Sequence, residues 1–358
     1  MIYKFLQKYF NLSDTQTKRF TYNVTSNSIF LFFNIFAQLF FPPLMIMVWG
    51  IENFGIWLYL LSLPNLLNMV NFNFIQSSNQ DMIYFYSQNN FEKVNNIFQC
   101  SFFLTLFSIT LFLILSLIVY FVSDFDFKAI ENIPLDLRKM SFIIIAISIS
   151  LTILDGILIS APSIKGLTYI SDYNKMIFDI ILKISLVISG LISDNFFTMI
   201  LIFFTVKIIQ TTVYYFFYIK HKNFLELAFK KVSKKELYRQ LKLSVSYNIE
   251  IFNEIINNNG LLFILGIFFN SSIIAMVSTC KTLFYFFPRK IFQTLNHPIY
   301  YEYSSLFANK KIENVKYIFK KHLRIVFVGA SLLVLFFFFW GPSIYNLWLN
   351  SKFIIDYH

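Results

Sequence analysis

Residues 98–122 read FQCSFFLTLFSITLFLILSLIVYFV, 25 consecutive positions without a charged side chain. A helix crossing a hydrocarbon core about 30 Å thick needs about 20 such residues, so this stretch is long enough to span a bilayer. The residues that lead into it, Phe91-Glu92-Lys93-Val94-Asn95-Asn96-Ile97-Phe98, have a counterpart at Ile312-Glu313-Asn314-Val315-Lys316-Tyr317-Ile318-Phe319. The two octets match at Glu, Val, Ile and Phe, and each follows a Tyr-x-Tyr-Ser tetrapeptide (84–87 and 301–304). The same signal therefore returns at an offset of 221 residues, inside the same hydropathy pattern. Duplicated halves of this kind are a transporter architecture, with the working site expected between them.

Working outward from 98–122, apolar runs predict nine spans, at about 24–49, 54–80, 98–122, 139–162, 174–193, 196–219, 244–269, 272–298 and 323–341. The fold class expected is an all-α integral membrane protein of about nine transmembrane helices, two-lobed, with an incomplete second lobe. Four segments are expected. Residues 1–20 form an interfacial amphipathic segment, with Ile2, Phe5, Leu6, Tyr9 and Phe10 opposite Lys4 and Lys8. Residues 21–219 form a first six-helix lobe, and 220–243 a basic cytoplasmic linker. Residues 244–358 form three helices of a second lobe, since His358 corresponds to position 137 of the first copy. In the linker Leu225, Phe229, Val232 and Leu237 recur at helical spacing, which predicts an amphipathic helix lying on the membrane.

Composition agrees with a membrane chain. Hydrophobic residues make up 57% and charged residues 14%, and Phe alone occurs 48 times. The net charge of +11 does not describe a nucleic-acid footprint, because the basic residues gather in the segments predicted to be cytoplasmic. The stretch 220–243 alone holds eight of them, and this asymmetry places the N-terminus inside. Cys100, Cys280 and four scattered histidines give neither a disulfide framework nor metal spacing. With nine glycines in the whole chain, no phosphate-cradling loop is present, nor a nucleophile elbow or a paired acid and base outside the spans. No enzymatic activity, cofactor or metal is expected.

Polar groups inside the spans are the candidates for function, because a charge there costs about 2.5–3.5 kcal/mol on insertion scales. In span two, Asn65, Asn68, Gln76 and Asn79 fall on one face of a continuous helix, to line a hydrated cavity or bond neighbouring helices. Lys183, Lys207, Lys281 and Arg289 are expected to surround a central cleft suited to an anionic headgroup. Asp179 and Lys183 stand one turn apart, as a pair that neutralises itself. Asp155, Asp179, Glu250 and Glu254 are the acids available for ion coupling. Pro42-Pro43 and Pro288 mark expected bends.

The stretch Gly50-Ile51-Glu52-Asn53-Phe54-Gly55-Ile56-Trp57, followed by Asn71-Phe72-Asn73-Phe74-Ile75-Gln76-Ser77-Ser78-Asn79, resembles polysaccharide (O-antigen type) flippases. These belong to the multidrug/oligosaccharidyl-lipid/polysaccharide exporter superfamily. Lys281-Thr282-Leu283, Tyr303-Ser304-Ser305-Leu306 and Gly341-Pro342-Ser343-Ile344-Tyr345-Asn346-Leu347-Trp348-Leu349 are similar to other parts of that family. Asn71-Phe72-Asn73 departs from its usual Asp-Phe-Gly. The resemblance implies alternating-access movement of a polyprenyl-pyrophosphate-linked oligosaccharide across the bacterial inner membrane, for surface polysaccharide synthesis. Its implied partners are the lipid-linked oligosaccharide, membrane lipids and other polysaccharide-assembly membrane proteins, and no nucleic acid. The alternatives are a small-molecule exporter of the same superfamily or an inactive truncated flippase.

Overall fold

The computed structural model describes residues 14–71, 74–193, 195–290, 292 and 312–349, and of 14–20, 24, 76, 77, 246, 247, 250 and 314 only the backbone. Every regular element among the described residues is helical. The helices are α1 (Asp14–Leu67), α2 (Phe74–Ser87), α3 (Phe91–Val122), α4 (Leu135–Leu158), α5 (Ser160–Ile164), α6 (Thr168–Ile192), α7 (Phe196–His221), α8 (Lys234–Ile255), α9 (Leu261–Phe268), α10 (Ser271–Lys281) and α11 (Ile312–Trp348). The expected segment 1–20 falls largely outside the described residues, as does the tetrapeptide at 301–304.

Among the described residues, six stretches are long and apolar enough to cross a membrane: Thr21–Val70, Phe91–Val122, Leu135–Ile164, Phe196–His221, Ile251–Phe268 and Val315–Trp348. The chain is thus compatible with an all-α, multi-pass membrane protein. The first stretch runs for 50 residues. At 1.5 Å per residue that is about 75 Å, more than twice the core thickness. It is broken at Gly50 (φ 79°, ψ 168°), where the sequence places the turn between spans one and two. A positive φ is open to glycine and costly to other residues. The backbone stays helical through Pro42-Pro43. α6 is not among the six, because Asp172, Lys175, Asp179 and Lys183 interrupt its apolar surface.

The 221-residue offset pairs related positions. α3 opens at Phe91 after the cap Asn90, and the matching octet 312–319 is likewise helical, within α11. Gly50 corresponds to Ser271, where α10 begins after the extended Phe269.

Two expectations are corrected. Span two is not one helix over 54–80. A 3-10 turn at Asn68–Val70 and an extended Asn71 (φ −79°, ψ 100°) end α1 before α2 begins at Phe74. The four span-two amides therefore do not share a continuous helical face. The linker is not helical through 222–233 either. Those residues are turns and irregular backbone, tied down by amides of α3. Asn95 Oδ1 accepts from the Glu226 N–H (3.1 Å), Gln99 Oε1 accepts from Lys231 N–H (2.7 Å), and Asn96 donates to the Lys231 carbonyl. Side chains have taken over the hydrogen bonds that a helix would have made internally. α8 is then capped by Ser233, whose hydroxyl accepts from the Glu236 N–H, the first half of a Ser-x-x-Glu capping box.

The described residues form two compact units. The first comprises Met1–Asn34 and Val48–Ile274, and the second Ile35–Met47 and Ala275–His358. In the first unit α4 packs most extensively on α7, with α3 against α2 and α4. A buried cluster of Met82, Ile97, Phe98, Ile157, Ala161 and Tyr214 joins α2, α3, the α4–α5 junction and α7. The first unit also holds close helix contacts at small residues. A methyl on Gly55 would lie 1.8 Å from the Ser271 carbonyl oxygen, and one on Gly190 would lie 1.6 Å from the Trp49 ring. In the second unit, the buried Tyr345 hydroxyl meets Thr279 Oγ1 at 2.7 Å, and Trp348 Nε1 donates to the Leu39 carbonyl at 2.8 Å.

Candidate functional site

Three helices of the first unit turn a polar face toward one cavity of about 380 Å³. α4 and its cap residue Ile159 contribute Thr152, Asp155, Gly156 and Ile159, at positions i, i+3, i+4 and i+7. α6 contributes Lys175, Phe178, Asp179 and Leu182 at the same spacing. α7 contributes Lys207, Gln210 and Tyr214 at i, i+3 and i+7. This is the periodicity of one helical stripe, so each helix presents a single face. Phe30 and Asn34, one turn apart on α1, complete the wall.

Asp155 is the most unusual group in it. The residue is 4% exposed, and neither carboxylate oxygen has a hydrogen-bond partner. Lys207 and Lys175 are its cationic neighbours, and the Thr211 hydroxyl lies beside it without hydrogen-bonding geometry. Lys207 Nζ donates to Gln210 Oε1 (3.1 Å), and Gln210 Nε2 donates to the Tyr214 hydroxyl (3.3 Å). Gln210 and Tyr214 are themselves buried, so this chain of donors is held rigidly. Asp179 is ion-paired with Lys183 one turn along α6. A carboxylate among apolar helices is costly unless charge compensates it, and here Lys207 and Lys175 supply that charge while both oxygens keep hydrogen-bonding capacity.

A second compartment of about 210 Å³ adjoins the first, sharing Thr152 and Gly156 of α4. Asn68, Asn71, Thr105 and Ile75 also line it. The Asn68 Oδ1 is buried without a partner. Irregular backbone at membrane depth is tolerated where it is buried in protein or lines a wet cavity, and the 68–71 break satisfies that condition.

The sequence-derived candidates divide accordingly. Asp155, Asp179 and Lys207 meet in the larger cavity, Lys183 pairs with Asp179, and Asn68 lines the smaller one. Asn65 is spent within its own helix, donating to the Leu61 carbonyl at 2.8 Å. Asn79 has a buried, unpartnered Oδ1 but lines neither cavity. Lys281 and Arg289 belong to the second unit, over the rings of Tyr285 and Phe286, and of Tyr285, respectively. Glu254 lies on α8, and the side chains of Gln76 and Glu250 are outside the described residues. Lys175, Gln210, Tyr214 and Asn34 were not singled out by the sequence. Helical arithmetic finds three of them: Lys175 precedes Asp179 by one turn, and Gln210 and Tyr214 follow Lys207 by three and seven.

A separate ion cluster lies where α8 begins. Glu236, 3% exposed, receives Lys93 (3.0 Å) and Arg239 (2.7 Å), and Arg239 also reaches Asp81 of α2 at 2.8 Å. Burial would raise the Glu236 carboxyl, but hydrogen bonds and charge from Arg239 and Lys93 outweigh it, holding it below the usual carboxylate range. Beside it Gln240 is fully buried, accepting from Ser101 Oγ (3.0 Å) and donating to the Ile97 carbonyl (3.0 Å).

Comparison with family models, with curated proteins and with solved structures gave no match to this chain.

Proposed function

We propose that this chain is a transporter of the bacterial inner membrane, N-terminus cytoplasmic, that moves a polyprenyl-pyrophosphate-linked oligosaccharide from one leaflet to the other by alternating access. One observation supports this reading above the others. Apolar, membrane-length helices α4 and α7, with α6, line a cavity holding Asp155, Asp179, Lys175 and Lys207, and the buried Asp155 carboxylate makes no hydrogen bond within it. Intramembrane charge of this kind marks a pathway or binding site. The cargo class rests on the resemblance of 50–57 and 71–79 to the flippase family. The nine-span, two-lobed arrangement belongs to the same proposal, supported by the two matching octets, both helical, and by Gly50 and Ser271, which stand at helix breaks 221 residues apart.

The cavity volume favours a second reading. About 380 Å³ falls within the range of pockets that enclose a drug-sized ligand, so a small-molecule exporter is the alternative. Expression in a bacterium whose own polysaccharide flippase is deleted separates the two. Restored surface glycan supports the first reading. Efflux of small dyes with no recovery of glycan supports the second, and recovery of neither activity rejects both.

A further inference from the structure

The donor and acceptor balance of the large cavity restricts which part of a cargo can sit there. Lys207 and Lys175 present only donors, and the Asp155 carboxylate presents only acceptors, two of them unused. A ligand that satisfies both must itself offer donors and acceptors side by side. A pyrophosphate offers acceptors alone. Placed against Lys207 it would bring negative charge toward a carboxylate that is 4% exposed, where little water screens the repulsion. A ring bearing vicinal hydroxyls has the required pattern, since each hydroxyl donates and accepts. Phe178 and Phe30 supply the apolar wall on which such a ring can rest. This cavity carries Asp155 and Asp179 as well as lysines, so it differs in charge from a cleft lined by Lys183, Lys207, Lys281 and Arg289.

We infer that the α4–α6–α7 cavity is a polyol subsite, taking an uncharged sugar unit between Asp155 and Lys207, and that it is not where the pyrophosphate is held. This rests on the cavity being a cargo site, as proposed above. Asp155 is the specificity-determining residue. Its carboxylate accepts from two hydroxyls of the sugar while Lys207 donates to a neighbouring one.

The test uses the full chain in lipid nanodiscs, with glucose and inorganic pyrophosphate as separate probes followed by saturation-transfer NMR and equilibrium titration. Glucose is expected to bind the wild-type chain. Loss of hydrogen bonds to a charged acceptor should weaken glucose binding by about tenfold or more in Asp155→Ala. The isosteric Asp155→Asn, which keeps shape and fold, should weaken glucose but strengthen pyrophosphate, because it removes the repulsion. Opposite signs for the two probes support the inference. Absence of glucose binding, glucose binding unchanged in both variants, or pyrophosphate binding to wild type that Asp155→Asn leaves unchanged overturns it. Failure of the transport reading is separately visible. Asp155-dependent glucose binding in a chain that restores no surface glycan keeps the subsite and rejects the flippase.

Discussion

Replacing Glu236 by Gln tests the ion cluster that fastens α8 to α2 and α3. The carboxylate is 3% exposed and makes two short ion pairs, to Lys93 at 3.0 Å and Arg239 at 2.7 Å. Breaking a fully buried pair costs about 3–5 kcal/mol, mostly because the surviving charge is left without water. Here the survivors are not stranded. Lys93 and Arg239 are each 38% exposed at the side chain, and Arg239 keeps Asp81 at 2.8 Å. Exposed pairs contribute at most about 1 kcal/mol, so the loss should fall between the two limits. Removing negative charge from the third helical position of α8 adds about 0.3–1 kcal/mol through the helix dipole. The expected cost is about 2 kcal/mol, close to a thirtyfold change in the local opening equilibrium. Hydrogen–deuterium exchange on protein in nanodiscs reads this directly, at amides in the first turns of α8 and in 222–233. Exchange that rises there by about that factor, with α4 unchanged, agrees with a docked segment. Unchanged exchange would refute the argument that Glu236 holds it.

The Glu236 carboxyl is held low in the folded protein, so its contribution is full above the ordinary carboxylate range and fades as pH falls through the depressed value. Protection of 222–233 should therefore weaken on acidification in wild type and be flat with pH in Glu236→Gln. Gly55→Ala places a methyl 1.8 Å from the Ser271 carbonyl oxygen and should destabilise by about 1–3 kcal/mol, seen as a lower unfolding temperature in detergent. Arg138 donates from all three guanidinium nitrogens, to the Ile133, Phe125 and Glu131 carbonyls. A lysine cannot span all three, so Arg138→Lys should raise proteolytic nicking of 123–134, at a cost of about 1–2 kcal/mol. A reporter fused after His358 should read as external if nine spans are crossed, and a cytoplasmic signal would overturn that count.

How much of this is legible in the sequence differs by feature. Apolar runs report membrane helices because length and transfer energy alone set them, as 98–122 illustrates within α3. Gly50 announces its own break, since it takes a backbone conformation that other residues avoid. The 222–233 segment misleads because Leu225, Phe229 and Val232 keep helical spacing while amides of α3, distant in sequence, claim the backbone. Span two misleads for a related reason. Its hydropathy continues through Asn68–Asn71, but a polar compartment beside α4 accommodates an unwound turn. At the site, single charges were visible and their company was not. Lys207 stands out in an apolar helix, whereas Gln210 and Tyr214 gain meaning from the hydrogen bonds that link them to it. Asp155 could be found by composition, but its lack of a partner is a property of packing.

The central claim is that the cavity around Asp155 and Lys207 carries cargo. The most direct test measures surface glycan in flippase-deleted cells expressing wild type, Lys207→Met or Asp155→Asn, normalised to membrane-inserted protein. The account predicts recovery with wild type and a loss of about tenfold or more in each variant at equal insertion. Recovery with both variants at the wild-type level would contradict it.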